Sequence, residues 1–92
     1  MTKQDFIERL SKEADLDKRE AGKAVEAFLD IVTDSLKRGD DVAFTGFGKF
    51  TVAQRSERQG VNPQSGERIT IKASRVPRFS AGSALKNAVK QG

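Results

Sequence analysis

The chain has 92 residues, of which 36% are hydrophobic, and a net charge of +4, enough for one small domain that buries a modest share of its surface. It contains no Cys and no His, which excludes disulfides, thiolate metal sites and the commonest remaining zinc ligand, and with them most nucleophile–base chemistry. No apolar run approaches the ~18 residues of a membrane span and no secretory h-region follows Met1, so a cytoplasmic protein with no membrane partner is expected.

Thr2-Lys3-Gln4-Asp5 has the form of an N-cap with an acidic residue three positions on. Phe6, Ile7, Leu10 and Ala14 recur behind it at helical spacing, predicting a short amphipathic helix over residues 3–14. Asp17-Lys18-Arg19-Glu20 is a second capping box. It opens a longer helix in which Ala21, Ala24, Val25, Phe28, Leu29, Val32 and Leu36 form one stripe, with Gly39 at the expected stop. Two caps separated by a short link predict a helical hairpin. The first helix is too short to cover the stripe of the second, so a partner surface is expected here. The carboxylates of this half alternate with Lys and Arg, the pattern of a solvated helix face, and they form no catalytic constellation.

Beyond Gly39 the period drops to two. Val42 and Phe44, then Phe47, Phe50 and Val52, read as strands around Gly46-Phe47-Gly48. The paired glycines suggest a tight turn or bulge that drives the Phe47 ring inward. A phosphate-binding glycine loop is disfavoured, because no GxGxxG or Walker lysine pattern follows. From Ala53 to Arg78, a run of 26 residues, the only large apolar residues are Val61, Ile69, Ile71 and Val76. That is too little apolar area to offset the entropy of ordering the segment as core. Only 66 of the 92 residues then remain to build a fold. Chains of roughly that size need a staple, and without Cys or His the available one is oligomerisation. A dimer is expected.

Within this run Arg55 to Arg58 leads outward, Glu67 to Lys72 returns, and Asn62-Pro63-Gln64-Ser65-Gly66 joins them with a strong turn signal. Arg68-Ile69-Thr70-Ile71-Lys72 alternates, so a two-stranded ribbon is predicted, and ten extended residues would reach roughly 33 Å. Val76-Pro77-Arg78-Phe79 brings the chain back, with Phe79 expected to be buried. Ser80 is expected to cap a last helix carrying Ala81, Leu85, Ala88 and Val89.

Charge is divided unevenly between the halves. Residues 1–41 hold eight Lys/Arg against eleven Asp/Glu, whereas residues 42–92 hold nine against two. A surplus gathered in one half is the footprint of a polyanion-binding surface. Arg55, Arg58, Arg68, Lys72 and Arg75 are the candidate phosphate contacts. Every Phe lies outside the ribbon, which argues against a base-stacking platform for RNA or single strands. A basic ribbon tipped by proline fits duplex binding through the minor groove. Pro63 itself reads in two ways: as a turn residue that presets φ, or as a rigid apolar wedge that enters a base step. A basic module for RNA or an acidic protein is the rival from another class.

Gly46-Phe47-Gly48-Lys49-Phe50, then Arg55, then Arg58-Gln59-Gly60-Val61-Asn62-Pro63-Gln64-Ser65-Gly66, then Val76-Pro77-Arg78-Phe79 resemble, in this order and spacing, the HU/IHF family of bacterial histone-like proteins. The HU branch is the more similar. The resemblance covers essentially the whole chain, and its arm-tip motif is highly specific. It implies an α+β fold: an intertwined dimer with an N-terminal helical hairpin, an antiparallel β saddle with protruding two-stranded arms, and a short C-terminal helix. On this chain that implies a single domain over residues 1–92. The hairpin falls at 1–39, the saddle at 40–79 with its arm at about 53–75, and the closing helix at 80–92.

The resemblance also implies Pro63 inserted between base pairs, with Arg55, Arg58, Asn62, Gln64, Arg68 and Lys72 near the DNA backbone or minor groove. Lys3 and Lys86 match positions on the body that contact flanking DNA, while Phe47, Phe50 and Phe79 match core positions of the dimer. The implied protein is non-enzymatic, has no cofactor, and belongs to the nucleoid. It binds double-stranded DNA with little sequence preference, and bends and compacts it as a homodimer. An IHF-like, site-preferring subunit paired with a paralogue is the alternative. Val61, Glu67 and Ser83 stand where the family frequently has Arg or Lys, which bears on affinity, and Arg75 and Arg78 restore some positive charge.

Overall fold

Reciprocal caps set both helices of the N-terminal hairpin. The computed structural model describes residues 1–71 and 73–92, and the side chains of all of these except Arg58 and Ile71. Helix α1 spans Lys3–Glu13. At its start the Thr2 hydroxyl accepts from the Asp5 amide (3.2 Å) while the Asp5 carboxylate accepts from the Thr2 amide (3.0 Å), so two orphan donors are satisfied. Helix α2 spans Lys18–Lys37 and repeats the device. The Glu20 amide donates to the Asp17 carboxylate (2.7 Å), and the Asp17 amide donates to the Glu20 carboxylate (3.2 Å). Between them Asp15 takes φ +53°, a left-handed conformation that Asp tolerates better than most residues. Helix α2 is closed by Gly39, at φ +82°, whose amide donates to the Leu36 carbonyl (3.0 Å), as expected of a glycine just past a helix end.

The chain divides into two compact units, Met1–Ser35 and Leu36–Gly92. In the first, Ile7, Ala21 and Val32 are the buried apolar residues. Much of the remaining stripe is half open, Phe28 and Leu29 at 43% exposure each and Phe6 at 50%. The helical stripe therefore exceeds what the hairpin covers with its own residues.

The second unit holds an antiparallel sheet in the order β1 (Val42–Phe44), β2 (Gly48–Arg55), β5 (Ser74–Ala81). Strand β5 is an edge, where Pro77 can sit opposite Val52 without removing a donor that the sheet needs. Register sorts the side chains. Gly48↔Ala81, Phe50↔Phe79, Val52↔Pro77 and Gln54↔Arg75 share one face, while Lys49↔Ser80, Thr51↔Arg78, Ala53↔Val76 and Arg55↔Ser74 share the other. On the first face the Phe79 ring lies 4.9 Å from that of Phe50 and 5.8 Å from that of Phe47. A side chain at Gly48 would overlap the Phe79 ring, which explains the glycine there.

Two expectations fail in this region. Phe79 is not buried within one chain: it is 44% exposed, and Phe47 is 52% exposed. Ser80 does not cap the last helix, because β5 continues to Ala81 and helix α3 spans Ser83–Gln91 with Gly82 at its N-cap. Packing decides this. The Gly82 amide donates to the Phe47 carbonyl (2.7 Å) and the Leu85 amide to the Gly46 carbonyl (3.2 Å). A Cβ at residue 82 would lie 2.6 Å from the Gly46 oxygen. Serine could cap, but only glycine fits.

Strands β3 (Arg58–Val61) and β4 (Arg68–Ile71) form the ribbon as a separate antiparallel pair. The ladder of β2 with β5 ends at Arg55↔Ser74, and that of β3 with β4 begins at Arg58↔Ile71. The two ladders are thus three residues apart along each strand. Ser56 and Glu57 interrupt the outbound strand, and neither offers the branched or aromatic side chain that favours pairing. The predicted two-stranded ribbon is present as its own ladder, β3 with β4, separate from that of β2 with β5.

Candidate nucleic-acid interface

The tip of the ribbon is an ordered turn built from its own polar groups. The Asn62 amide donates to the Glu67 carbonyl and the Gly66 amide to the Asn62 carbonyl (2.8 Å each). The Gln64 amide donates to Asn62 Oδ1 (2.9 Å), an Asx turn, and the Glu67 amide donates to Ser65 Oγ (3.3 Å). Gly66 takes φ +72° with open space around it, so its glycine serves backbone conformation rather than packing. Pro63, Gln64 and Ser65 are exposed. With no N–H to satisfy and a fixed φ, Pro63 is presented as a stiff apolar ring.

Five ion pairs join described residues, and all lie at or before Lys49: Lys3–Glu26, Arg9–Glu13, Lys18–Glu8, Arg38–Asp40 and Lys49–Asp41. Four of the five are internal to residues 1–41. Among the described residues Arg55, Arg68, Arg78 and Lys86 make no ion pair, and all four are exposed. The positive surplus of the second half therefore stays available to an outside anion.

The candidate residues do not form one set. Arg55 and Arg78 share a face of the β2–β5 ladder, and Arg68 stands opposite Val61 beside the tip. Arg78 was not among the candidates, and only the pairing register places it with Arg55. Arg75 lies on the opposite face, and its Nη2 donates to the Leu36 and Lys37 carbonyls (3.1 Å each). That guanidinium caps the C-terminus of α2, where a cation is favoured by the helix dipole. Lys3 is paired with Glu26 in the helical unit, and Lys86 lies on α3. The Arg58 backbone lies in β3 with its side chain outside the described residues, and Lys72 lies outside them entirely. No group of three or more metal-ligating side chains comes together among the described residues, and no helix among them is long and apolar enough to cross a membrane.

The family model described as "Bacterial DNA-binding protein" matches residues 1–90. This chain belongs to that family. Its members are structural DNA-binding proteins rather than enzymes. "DNA-binding protein HU-beta" of Salmonella typhimurium is 53% identical over 89 residues, covering 97% of this chain and 99% of that protein. "DNA-binding protein HU" of Staphylococcus aureus is 50% identical over 90 residues, covering 98% and 100%. Among solved structures, the Anabaena HU–DNA cocrystal structure superposes with a TM-score of 0.90 at 33% identity, covering both chains fully. HU from Thermotoga maritima gives 0.70 at 28% identity, covering 97% of this chain and 98% of that one. The α+β order of two helices, antiparallel strands and a closing helix is that of the HU fold.

Proposed function

We propose that this chain is a histone-like nucleoid protein of the bacterial cytoplasm. It binds duplex DNA through the minor groove with little sequence preference, and bends and compacts it. The observation that carries this reading is the ribbon: unpaired arginines flank an ordered turn whose leading feature is an exposed, rigid proline. Arg55, Arg58, Arg68 and Lys72 contact phosphates, Asn62 and Gln64 enter the groove, and Pro63 wedges between base pairs. Lys3 and Lys86 contact flanking DNA, joined by Arg78 on the Arg55 face. Relatives named as DNA-binding HU proteins, and a related chain crystallised with DNA, support it.

The working unit is a homodimer. Phe6, Leu10, Ala24, Val25, Phe28 and Leu29 line an apolar groove of about 560 Å³ in the helical unit. Phe44, Phe47 and Phe79 remain 40–52% exposed in the other. Apolar surface of that kind on so small a chain calls for a protein partner.

Binding to a random duplex across a salt series tests the function. The affinity should fall with a slope of roughly −0.9 per phosphate neutralised, so six or more contacts lose about a thousandfold between about 50 and 200 mM salt. Affinity that ignores salt would defeat the proposal.

A further inference from the structure

We propose that the ribbon tip discriminates A·T from G·C base pairs by excluding the exocyclic amino group of guanine, with Val61 and Asn62 as the specificity-determining residues. The inference rests on the minor-groove reading above and adds a preference to it. Three observations carry it. First, each face of the ribbon next to the tip exposes one large apolar side chain. Val61 is 63% exposed opposite Arg68, and Ile69 is 44% exposed opposite Gly60. Neither is among the buried core residues, and Pro63, two residues after Val61 in the chain, is exposed. Second, Val61 supplies neither a donor nor an acceptor where it meets the groove.

Third, the Asx turn orients the Asn62 carboxamide. Its Oδ1 accepts from the Gln64 amide at 2.9 Å, so Nδ2, which has no partner among the described residues, is the unengaged end of this half-buried carboxamide. The turn's other polar groups add no second oriented reader. Ser65 Oγ is engaged by the Glu67 amide, and Pro63 has no N–H. Gln64 carries a donor and an acceptor on one freely rotating amide and selects neither. The oriented part of the tip is thus apolar surface plus a donor.

The minor groove of an A·T pair shows only acceptors, adenine N3 and thymine O2, whereas a G·C pair adds the guanine N2 amino donor. Facing that donor, Val61 would bury it unpaired and Asn62 Nδ2 would meet it donor to donor, each an unfavourable contact. At an A·T pair the same groups meet acceptors and a smooth groove floor. The tip therefore favours A·T by rejecting one amino group.

Competition binding against three alternating duplexes, dA·dT, dG·dC and dI·dC, tests this. Inosine keeps the G·C major-groove pattern but lacks the 2-amino group. The parent should bind dA·dT and dI·dC alike and dG·dC about tenfold more weakly. A·T and I·C duplexes also deform more easily, so two substitutions separate the causes. Val61→Gln offers an acceptor to the guanine amine. Asn62→Asp keeps the Oδ1 of the turn and removes the donor. Both should bring the dA·dT to dG·dC ratio toward one. A ratio unchanged in both variants assigns the preference to deformability and overturns the proposal, as does grouping of dI·dC with dG·dC. Equal binding of all three duplexes overturns it alone, whereas binding to none overturns the DNA-binding function as well.

Discussion

Replacing Arg75 with Ala separates two roles that a surface arginine can play. Its guanidinium donates to the carbonyls of Leu36 and Lys37, 3.1 Å each, at the end of α2, where unsatisfied carbonyls carry the negative end of the helix dipole. A charge-assisted bond of this kind is worth up to about 3 kcal/mol when shielded, but the site is exposed, so about 1 kcal/mol is expected for the pair. In a small domain that loss lowers Tm by roughly 4–8 °C. The salt slope of DNA binding should stay where it is, because the group removed is already engaged by backbone. Arg55→Ala should do the reverse. It makes no ion pair among the described residues, so Tm should hold while the slope flattens by about one unit. Thermal unfolding and a salt titration on the same two variants give the full comparison. If Arg75→Ala flattens the slope and leaves Tm unchanged, Arg75 is a phosphate contact and the helix-capping role is refuted.

Pro63→Ala removes the stiff ring without removing charge, so folding and salt slope should persist while DNA bending falls. A fluorescence-transfer bend assay showing parental bending would make Pro63 a turn residue only. Phe79→Ala removes a ring that touches Phe47 and Phe50 and should cost about 3–5 kcal/mol if a partner chain completes its burial. The parent's Tm should fall on hundredfold dilution, as folding coupled to association requires, and a dilution-independent Tm with monomeric mass would refute the dimer. Gly82→Ala places a methyl 2.6 Å from the Gly46 oxygen and should destabilise by about 1–3 kcal/mol, read by denaturant unfolding. A change below about 0.5 kcal/mol would show that the turn yields freely.

Local chemistry made much of this protein legible in its sequence. Thr2 with Asp5 and Asp17 with Glu20 satisfy helix ends within three residues, and Gly39 stops α2 through its own backbone freedom, so caps and helices needed no distant partner. Asn62 to Gly66 closes a turn on itself for the same reason. The scarcity of apolar residues between Ala53 and Arg78 was enough to mark a ribbon that no core could hold. Composition likewise showed where positive charge gathers, although not which cations remain unpaired.

Tertiary structure decided the matters that depend on residues far apart in the chain. Arg75 reaches carbonyls 38 and 39 positions away, and nothing in its neighbours' identities distinguishes a cap from a phosphate contact. Register did the rest of the sorting. Pairing Thr51 with Arg78 and Gln54 with Arg75 put one arginine on the Arg55 face and the other on the opposite one, a choice that a shift of one residue would reverse. Ser80 lost the N-cap to Gly82 because the Gly46 carbonyl leaves no room for a side chain. Propensity and capping chemistry act over a few residues, whereas space and strand register are set by the partner segment, and only folding brings that segment into place.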